Sequence, residues 1–433
     1  MSTINVLCAP PNGRNPGMAA VDLAFGSLAT ELQVTPRYWR LWDASEWLEP
    51  VAGSHTEPDS EIFHDDLTGL FYEPLRGRLA EFLDADAIVF WGDFLHMNVY
   101  LQQTVDVLRR RMGLPSSQAN RDVVARYLLL QSQDDATLSK TITFGTTLSL
   151  NGAEDYSDRY GQDLARFISG VRRAWFRDPY SAYVAQTFRR TSDSCQGVDA
   201  TMLLPTPLSP GTAKAGVKVF VGRSNLRPEW VGTFGSHLAA TLSLRPSWLP
   251  WGKAPTFWPM DARRRLRLAW PGLELESERP GFALAVNTRF HSLRHPLPQP
   301  PAPAFNELMD QISSARLVLT DTYHLAMNAW RVGTPAVCLV DQTTSHEWNV
   351  NYGRPDSERD KRRDLYSYLD VLPLLVNVTG NPITEANRVA AVLTAGQDLT
   401  AVGKHRLASA AAHAHNDLLG TLHDLLGSTP CTV

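Results

Sequence analysis

Residues 315–340, ARLVLTDTYHLAMNAWRVGTPAVCLV, constrain the fold more than any other stretch. Leu317, Val318 and Leu319 form an unbroken apolar run, which suits a strand of a parallel sheet covered on both faces. Thr320 or Asp321 then offers an oxygen to the free N–H groups of a following helix. Leu325, Ala326, Ala329 and Trp330 recur at helical spacing, and Gly333 ends the helix because glycine enters the left-handed region freely. Pro335 precedes a second apolar run, residues 336–340. The stretch therefore reads strand, turn, helix, turn, strand. His324 falls in the first helical turn, at the C-terminal end of the first strand. Ligands of open parallel sheets gather at that edge, and a helix N-terminus favours an anion there.

The rest of the chain repeats this alternation. Residues 4–9 read as a strand and 18–32 as a helix, joined by a polar turn holding Asn15 and Gly17. No GxGxxG follows that strand, so dinucleotide binding gains little support. Residues 85–90 read as a strand ending in Trp91-Gly92-Asp93-Phe94, and 141–144 as a strand turning at Gly145. Helices are expected over 75–83, 99–110, 123–131 and 164–174. Asp93 and His96 either touch a ligand or cap the helix that follows them. The segment 206–216 is rich in Pro and Gly and reads as a linker. Residues 217–221 open a new strand that ends in Gly222-Arg223, and 282–286 form another, followed by Arg289 and His291. Helices are expected over 306–314, 384–393 and 401–426, with a short one within 361–372. Alternating strands and helices argue for an α/β fold of two parallel-sheet domains. The expected division is 1–205, the linker, 217–395 and C-terminal helices in 396–433.

A chain of 433 residues is long for one domain, and its 43% hydrophobic residues can build sizeable cores. Its net charge of −4 gives no global field for nucleic acid. The four cysteines are scattered, without a CxxC pair, which fits neither a zinc knuckle nor a disulfide framework and suits a reducing cytosol. Cys8 and Cys338 fall in expected buried strands. No signal peptide is evident, and no apolar run approaches the roughly 20 residues a membrane helix needs. The expected location is cytoplasmic. The run Arg263, Arg264, Arg265 and Arg267 is either a solvated face or a peripheral contact with anionic lipid at the membrane's inner face. Trp248, Trp251, Trp258 and Trp270 lie in a proline-rich stretch that is either a sugar-stacking surface or a local core. The four histidines of the last helix, His405, His413, His415 and His423, show no convincing metal pattern, so no metal site is expected.

Several of these segments together resemble the polysaccharide pyruvyl transferase family. Its signature is a strand, Ser/Thr-Asp-Arg-Leu-His-Gly, a helix, Gly-x-Pro and a strand. Here Thr320, Asp321, His324, Gly333 and Pro335 stand at the matching places, while the family's arginine is Thr322 and its glycine Leu325. Asn15-x-Gly17 resembles the family's Asn-x-Gly-Asp opening, with Met18 in place of the acid. Ala85-Asp86 with its strand and Gly92 resembles an Ala-Asp, strand, Gly-rich element. Residues 174–181 resemble Val-Arg-Asp-x-x-Ser, and Gly197-x-Asp199 matches the next element in order. Lys361 resembles the family's lysine before a small helix.

The resemblance implies a GT-B-like pair of Rossmann-like domains facing a cleft. It implies transfer of a pyruvyl group from phosphoenolpyruvate, as co-substrate and with no further cofactor, to a sugar of a glycan or lipid-linked glycan precursor, as in exopolysaccharide and cell-envelope synthesis. His324 would be the general acid, since imidazole titrates near neutrality. Arg223 and Arg289 would hold the donor's anionic groups, with Asp321, Thr322 and Tyr323 beside them. Asn15, Gly17, Gly92 and Asp93 would line the cleft. Arg177 and Asp178 would brace a strand end, or Arg177 would reach the cleft. Two other readings stay open: a GT-B-like glycosyltransferase with a nucleotide-sugar donor, which needs no arginine for a carboxylate, and a non-catalytic glycan-binding member. The sequence leaves the oligomeric state open.

Overall fold

The computed structural model describes residues 2–9, 16–41, 62–65, 67–93, 95–96, 115, 121–148, 159–188, 194–205, 215–221, 227–249, 251, 270, 272–273, 305–341, 360–395 and 399–427. They fall into two compact units. The first is drawn from the chain up to residue 205 and from its end beyond residue 408, the second almost wholly from residues 206–407. Residues 408–433 belong to the first unit.

The first unit is built on β1 (Ile4–Cys8), β2 (Pro36–Arg40), β3 (Phe63–His64), β4 (Phe71–Pro74), β5 (Ala87–Trp91), β6 (Thr141–Thr146), β7 (Arg173–Phe176) and β8 (Ser194–Gln196). Their order is β3-β4-β2-β1-β5-β6-β7-β8, and every pairing is parallel except β3 with β4. The helices between them are α1 (Pro16–Glu31), α2 (Leu79–Leu83), α3 (Asp135–Ser139), α4 (Arg159–Gly170) and α5 (Pro179–Phe188). Strands β1 and β5 are buried along their whole length, as a parallel sheet with two covered faces requires. Side chains alternate between those faces. On one face Trp91, Phe144 and Trp175 stand in register on three adjacent strands, the first two rings stacked with centroids 5.0 Å apart. On the other, Phe90 meets Phe82 and Phe167 edge-on. Each such ring, fully buried, contributes roughly 1.5–3 kcal/mol relative to exposure.

The second unit holds β9 (Val217–Phe220), β10 (Pro246–Trp248), β11 (Leu317–Thr320), β12 (Ala336–Val340) and β13 (Leu375–Asn377), all parallel, in the order β10-β9-β11-β12-β13. Its helices are α6 (Pro228–Thr241), α7 (Phe305–Ser313), α8 (Tyr323–Arg331), α9 (Lys361–Tyr368) and α10 (Pro382–Thr394). The long α11 (Leu399–Leu426) closes the chain; Gly403 lies against Trp330 of α8, while Asp417 accepts a 2.8 Å hydrogen bond from Trp175 of the first unit's sheet. Both units are Rossmann-like α/β layers. No helix among the described residues is long and apolar enough to cross a membrane.

The strand order reverses once on each side. From β1 the chain moves outward through β2, then returns to place β5 on β1's other flank; β9, β10 and β11 repeat the move. Such a reversal parts the connections of two neighbouring strands and leaves a crevice at their C-terminal ends. These two places are the ends of β1/β5 and of β9/β11.

Several expected elements differ. The helix expected over 164–174 ends at Gly170, and residues 173–176 form β7, their aromatic side chains pairing with the sheet. Residues 121–128 form a π-helical turn instead of an α-helix. Thr320 and Asp321 do not cap α8: its N-cap is Thr322, which makes no side-chain cap, and Thr320 Oγ1 accepts from the Thr322 N–H at 3.0 Å. The C-terminus of α8 follows expectation. Gly333 takes φ +73°, its N–H bonds the Trp330 carbonyl and that of Thr334 the Ala329 carbonyl, closing two of the last turn's acceptors. Trp251 and Trp270 are buried, a local core rather than a stacking surface, while Trp258 and the arginine run 263–267 lie outside the described residues.

The burial of Trp270 gives a test of packing. A Cβ added at Gly235 in α6 would stand 2.2 Å from a Trp270 ring carbon, whereas one at Gly420 in α11 would meet nothing. Gly235→Ala should cost about 1–3 kcal/mol by overpacking, and Gly420→Ala should gain up to about 1 kcal/mol by helix propensity. Urea unfolding midpoints report both.

Candidate functional site

The junction of β11 and α8 carries the residues singled out above, and it stands at the strand-order reversal of the second unit. Asp321 leaves the strand fully buried, its Oδ1 accepting from Thr322 Oγ1 at 3.1 Å. Tyr323 and His324 open the helix at 6% and 5% exposure, their rings edge-on at 5.3 Å. The His324 carbonyl accepts from Asn328 Nδ2 at 2.8 Å. Asn328 in turn receives Arg331 at 3.2 Å, and Arg331 also reaches Met309 Sδ at 3.3 Å. Burial pulls the Arg331 pKa down to about 10, so it remains a cation at the helix's C-terminal end, where the dipole favours one.

Two residues of α9 complete this edge. Arg362 is 4% exposed and donates from Nη1 to the carbonyls of Asp321 at 3.0 Å and Leu339 at 3.3 Å. It thus ties the C-terminal ends of β11 and β12 together. Its other nitrogens are held by Asp360, which also caps α9 through the Arg362 N–H at 2.8 Å. Burial alone would weaken this guanidinium's charge. The hydrogen bonds and charge of Asp360 outweigh that and raise its pKa above the usual arginine value. With α9 so anchored, Lys361 Nζ lies 5.3 Å from the centroid of the Tyr323 ring, a cation–π contact. Lys361 was marked only through a resemblance, and Arg362 was not singled out. The local signal was a capping Asp360 followed by three basic residues.

At the corresponding edge of the first unit, Gly92 takes φ +98°, and a Cβ there would stand 3.0 Å from Val21 Cγ1. Glycine is required by both the dihedral and the approach of α1. Gly17 is the second residue of α1 and is buried. Asp93, expected to line the cleft, is 2% exposed, and its carboxylate lies 2.7 Å from Arg177 Nη1. The same nitrogen lies 3.4 Å from Asp199, which caps the short turn Ala200–Leu203. Arg177 therefore braces three connections at the strand ends, the first of its two readings. A carboxylate this buried needs a cation, and the arginine that supplies it is 84 positions away in sequence, beyond any local pattern. Asp178 caps α5 through the Ser181 N–H at 2.8 Å and accepts from Thr147 Oγ1 at 2.9 Å. His96 is buried and packs on Phe90 and Phe167, with Nε2 3.0 Å from the Leu128 carbonyl, while the helix expected over 99–110 lies outside the described residues. Burial lowers its pKa to about 4, so it is neutral at physiological pH. Asn15, Arg223, Arg289 and His291 lie outside the described residues.

No protein-family model matches this chain, and no curated protein sequence matches it. Among solved structures it is similar to the UDP-GlcNAc 2-epimerase from Neisseria meningitidis bound to UDP-GlcNAc, at 12% identity over 98% of this chain and 100% of that one, with a TM-score of 0.48. It is also similar to an α,α-trehalose 6-phosphate synthase from Burkholderia multivorans, at 12% identity over 98% and 97% and a TM-score of 0.46. The UDP-N-acetylglucosamine 2-epimerase from Rickettsia bellii is similar at 11% identity over 99% and 97%, with a TM-score of 0.44.

The brace at the first unit's edge has a measurable worth. Arg177→Met leaves two buried carboxylates without their shared cation and should destabilise the protein by about 3–5 kcal/mol in urea unfolding. Arg173→Met, whose exposed-side partner is Asp417 at 2.7 Å with both groups about a quarter to a third exposed, should cost less than about 1 kcal/mol.

Proposed function

We propose that this chain is a GT-B-like transferase that binds a nucleoside-diphosphate sugar through its diphosphate at the β11–α8 junction and passes the sugar to a glycan or lipid-linked glycan acceptor. The observation that carries this reading is the grouping of His324, Tyr323 and Lys361 at the edge where the strand order reverses. The first turn of α8 points its N-terminal end at that edge, and its N-cap residue makes no side-chain cap. Such an end favours phosphate oxygens. Lys361 adds a compact positive charge, suited to a phosphate as a point charge rather than to a carboxylate as a fork. The guanidinium here, Arg362, is engaged by Asp360 and two backbone carbonyls.

In this reading the bond that breaks joins the sugar's anomeric carbon to a diphosphate oxygen, and the acceptor hydroxyl forms the new bond as its proton passes to the departing diphosphate. Charge grows on the leaving diphosphate. The α8 N-terminus, Lys361 and His324 as a hydrogen-bond donor stabilise it where it develops. No metal or organic cofactor is called for. Arg223, which follows β9 in sequence, adds a second cation to the donor. The arginine run 263–267 brings the protein to the inner face of a membrane that carries the acceptor.

The second reading is pyruvyl transfer from phosphoenolpyruvate, favoured by Thr320, Asp321, His324, Gly333 and Pro335 in their signature order. There His324 protonates the donor's methylene carbon. A non-catalytic glycan-binding protein is the third.

Thermal-shift titration with UDP, GDP, CMP and phosphoenolpyruvate separates them. Stabilisation by one nucleotide is the expected result and names the donor class. Stabilisation by phosphoenolpyruvate alone would replace the first reading by the second, and no response to any would leave the third. Lys361→Met should weaken the stabilising ligand about tenfold and flatten its salt dependence. His324→Ala should lower turnover by about 10²-fold or more with the melting temperature little changed; retained turnover would remove His324 from the chemistry.

A further inference from the structure

Asp22 lies in the middle of α1, and α1 packs on the sheet face that carries Cys8, Tyr38, Tyr72 and Trp91. The carboxyl is 1% exposed. Tyr72 Oη, on β4, donates to its Oδ2 at 2.6 Å, and the thiol of Cys8, the last residue of β1, hydrogen-bonds it from the strand beneath. Its Oδ1 is buried with no hydrogen-bond partner among the described residues, as is Tyr38 Oη on β2. Tyr38 Oη in turn stands 3.4 Å from where a Cβ would sit on Gly26, one helical turn beyond Asp22. The charge that acts on Asp22 from the turn after β3 is that of Asp65, itself 2% exposed and of the same sign. The guanidinium of Arg40, at the end of β2, is stacked over Phe63 at 5.3 Å. An ionised carboxylate with one bare oxygen among apolar groups and a second acid is costly. A neutral carboxylic acid in the same place is not.

We propose that Asp22, with Cys8 and Tyr72, forms a proton-binding site under α1: the carboxyl is held as the neutral acid and gives up its proton as the surroundings turn alkaline, loosening α1 from the sheet beside the β1/β5 reversal. The seat of α1 is tight enough to transmit this. The residue before Asp22 is Val21, whose carbonyl accepts from Trp91 Nε1 at 2.7 Å and whose methyl group packs against Gly92. Both contacts lie at the end of β5. Burial is the largest influence on Asp22 and pushes its pKa up to about 7; the hydrogen bonds from Tyr72 and Cys8 pull the other way, and Asp65 adds to the rise. Burial likewise raises the Cys8 thiol and the Tyr72 and Tyr38 phenols, so these stay protonated donors across the same range.

The sign follows from linkage. Between the unfolded carboxyl's value near 3.8 and the folded value of about 7, the folded state holds one proton that the unfolded state has lost. Stability conferred by that proton is complete below about pH 4, falls as pH rises, and is gone above about 7. Asp22→Asn keeps the shape and an acceptor for Tyr72 but cannot ionise.

The experiment is urea unfolding of the wild-type chain and of Asp22→Asn from pH 5 to pH 9. The ratio of their unfolding constants, wild type over variant, should rise about tenfold per pH unit up to about pH 7 and then level, the variant being the more stable at pH 8. A variant less stable than wild type by the same factor at every pH would overturn the proposal, because it would mean an ionised Asp22 held by its two donors. Tyr72→Phe carries the test if Asp22→Asn does not fold. Losing a donor that favours the ionised form should move the wild-type pH midpoint upward, and an unmoved midpoint would overturn the proposal equally. Amide exchange along α1, compared at pH 6 and pH 8 after correction for the intrinsic base dependence, should speed up in the wild type. Unchanged protection there would reject the loosening.

Discussion

Everything distinctive in this structure depends on a constraint of parallel sheets. Strands that all run one way put every connection's start at the same edge, and when the chain reverses its direction of travel across the sheet, two neighbouring strands send their connections apart. Here that happens between β1 and β5 in one unit and between β9 and β11 in the other. The residues worth studying are those that close, brace or leave open these two edges. Gly92 closes one so tightly against Val21 that no side chain fits. Tyr323 and His324 stand at the other, at the start of a helix.

Both edges are held by a buried arginine, in physically different ways. Arg177 is set between two carboxylates, Asp93 and Asp199, that come from different connections. Arg362 has one carboxylate, Asp360, and spends its remaining hydrogen bonds on main-chain carbonyls of β11 and β12. The first arrangement fastens loops to each other by charge. The second fastens backbone, and so fixes where α8 starts and where Lys361 stands, without using any side chain of the signature segment. Asp321 contributes its carbonyl to this tie while its carboxylate turns to Thr322.

The elements legible in the sequence were those whose pattern is local and complete. The run 317–319, the helical spacing through Trp330, Gly333 and Pro335 define β11, α8 and β12 nearly to the residue, because hydrophobic burial and the left-handed glycine each leave a signal within a few positions. Three strands were not legible. Pro36–Arg40, Arg173–Phe176 and Pro246–Trp248 are broken by prolines and arginines, and they are strands because a neighbour in the sheet pairs with them. The end of α4 falls short of the expected residue 174 for the same reason: the apolar pattern runs on into Arg173–Phe176, and only pairing with β6 makes that segment extended.

The sequence by itself determined the class of fold, the segment that carries His324, and the Gly and Pro positions that punctuate it, since these follow from period, propensity and backbone sterics acting over a few residues. The tertiary structure alone decided the state of each polar side chain. It set Asp93 beside Arg177 in a buried ion pair, made His96 a neutral core residue, and made Asp22, which no motif marks, a carboxyl shielded from solvent. Charge and hydrogen bonding inside a protein are set by whatever lies within a few ångströms, and those neighbours come from strands and helices far apart in the chain.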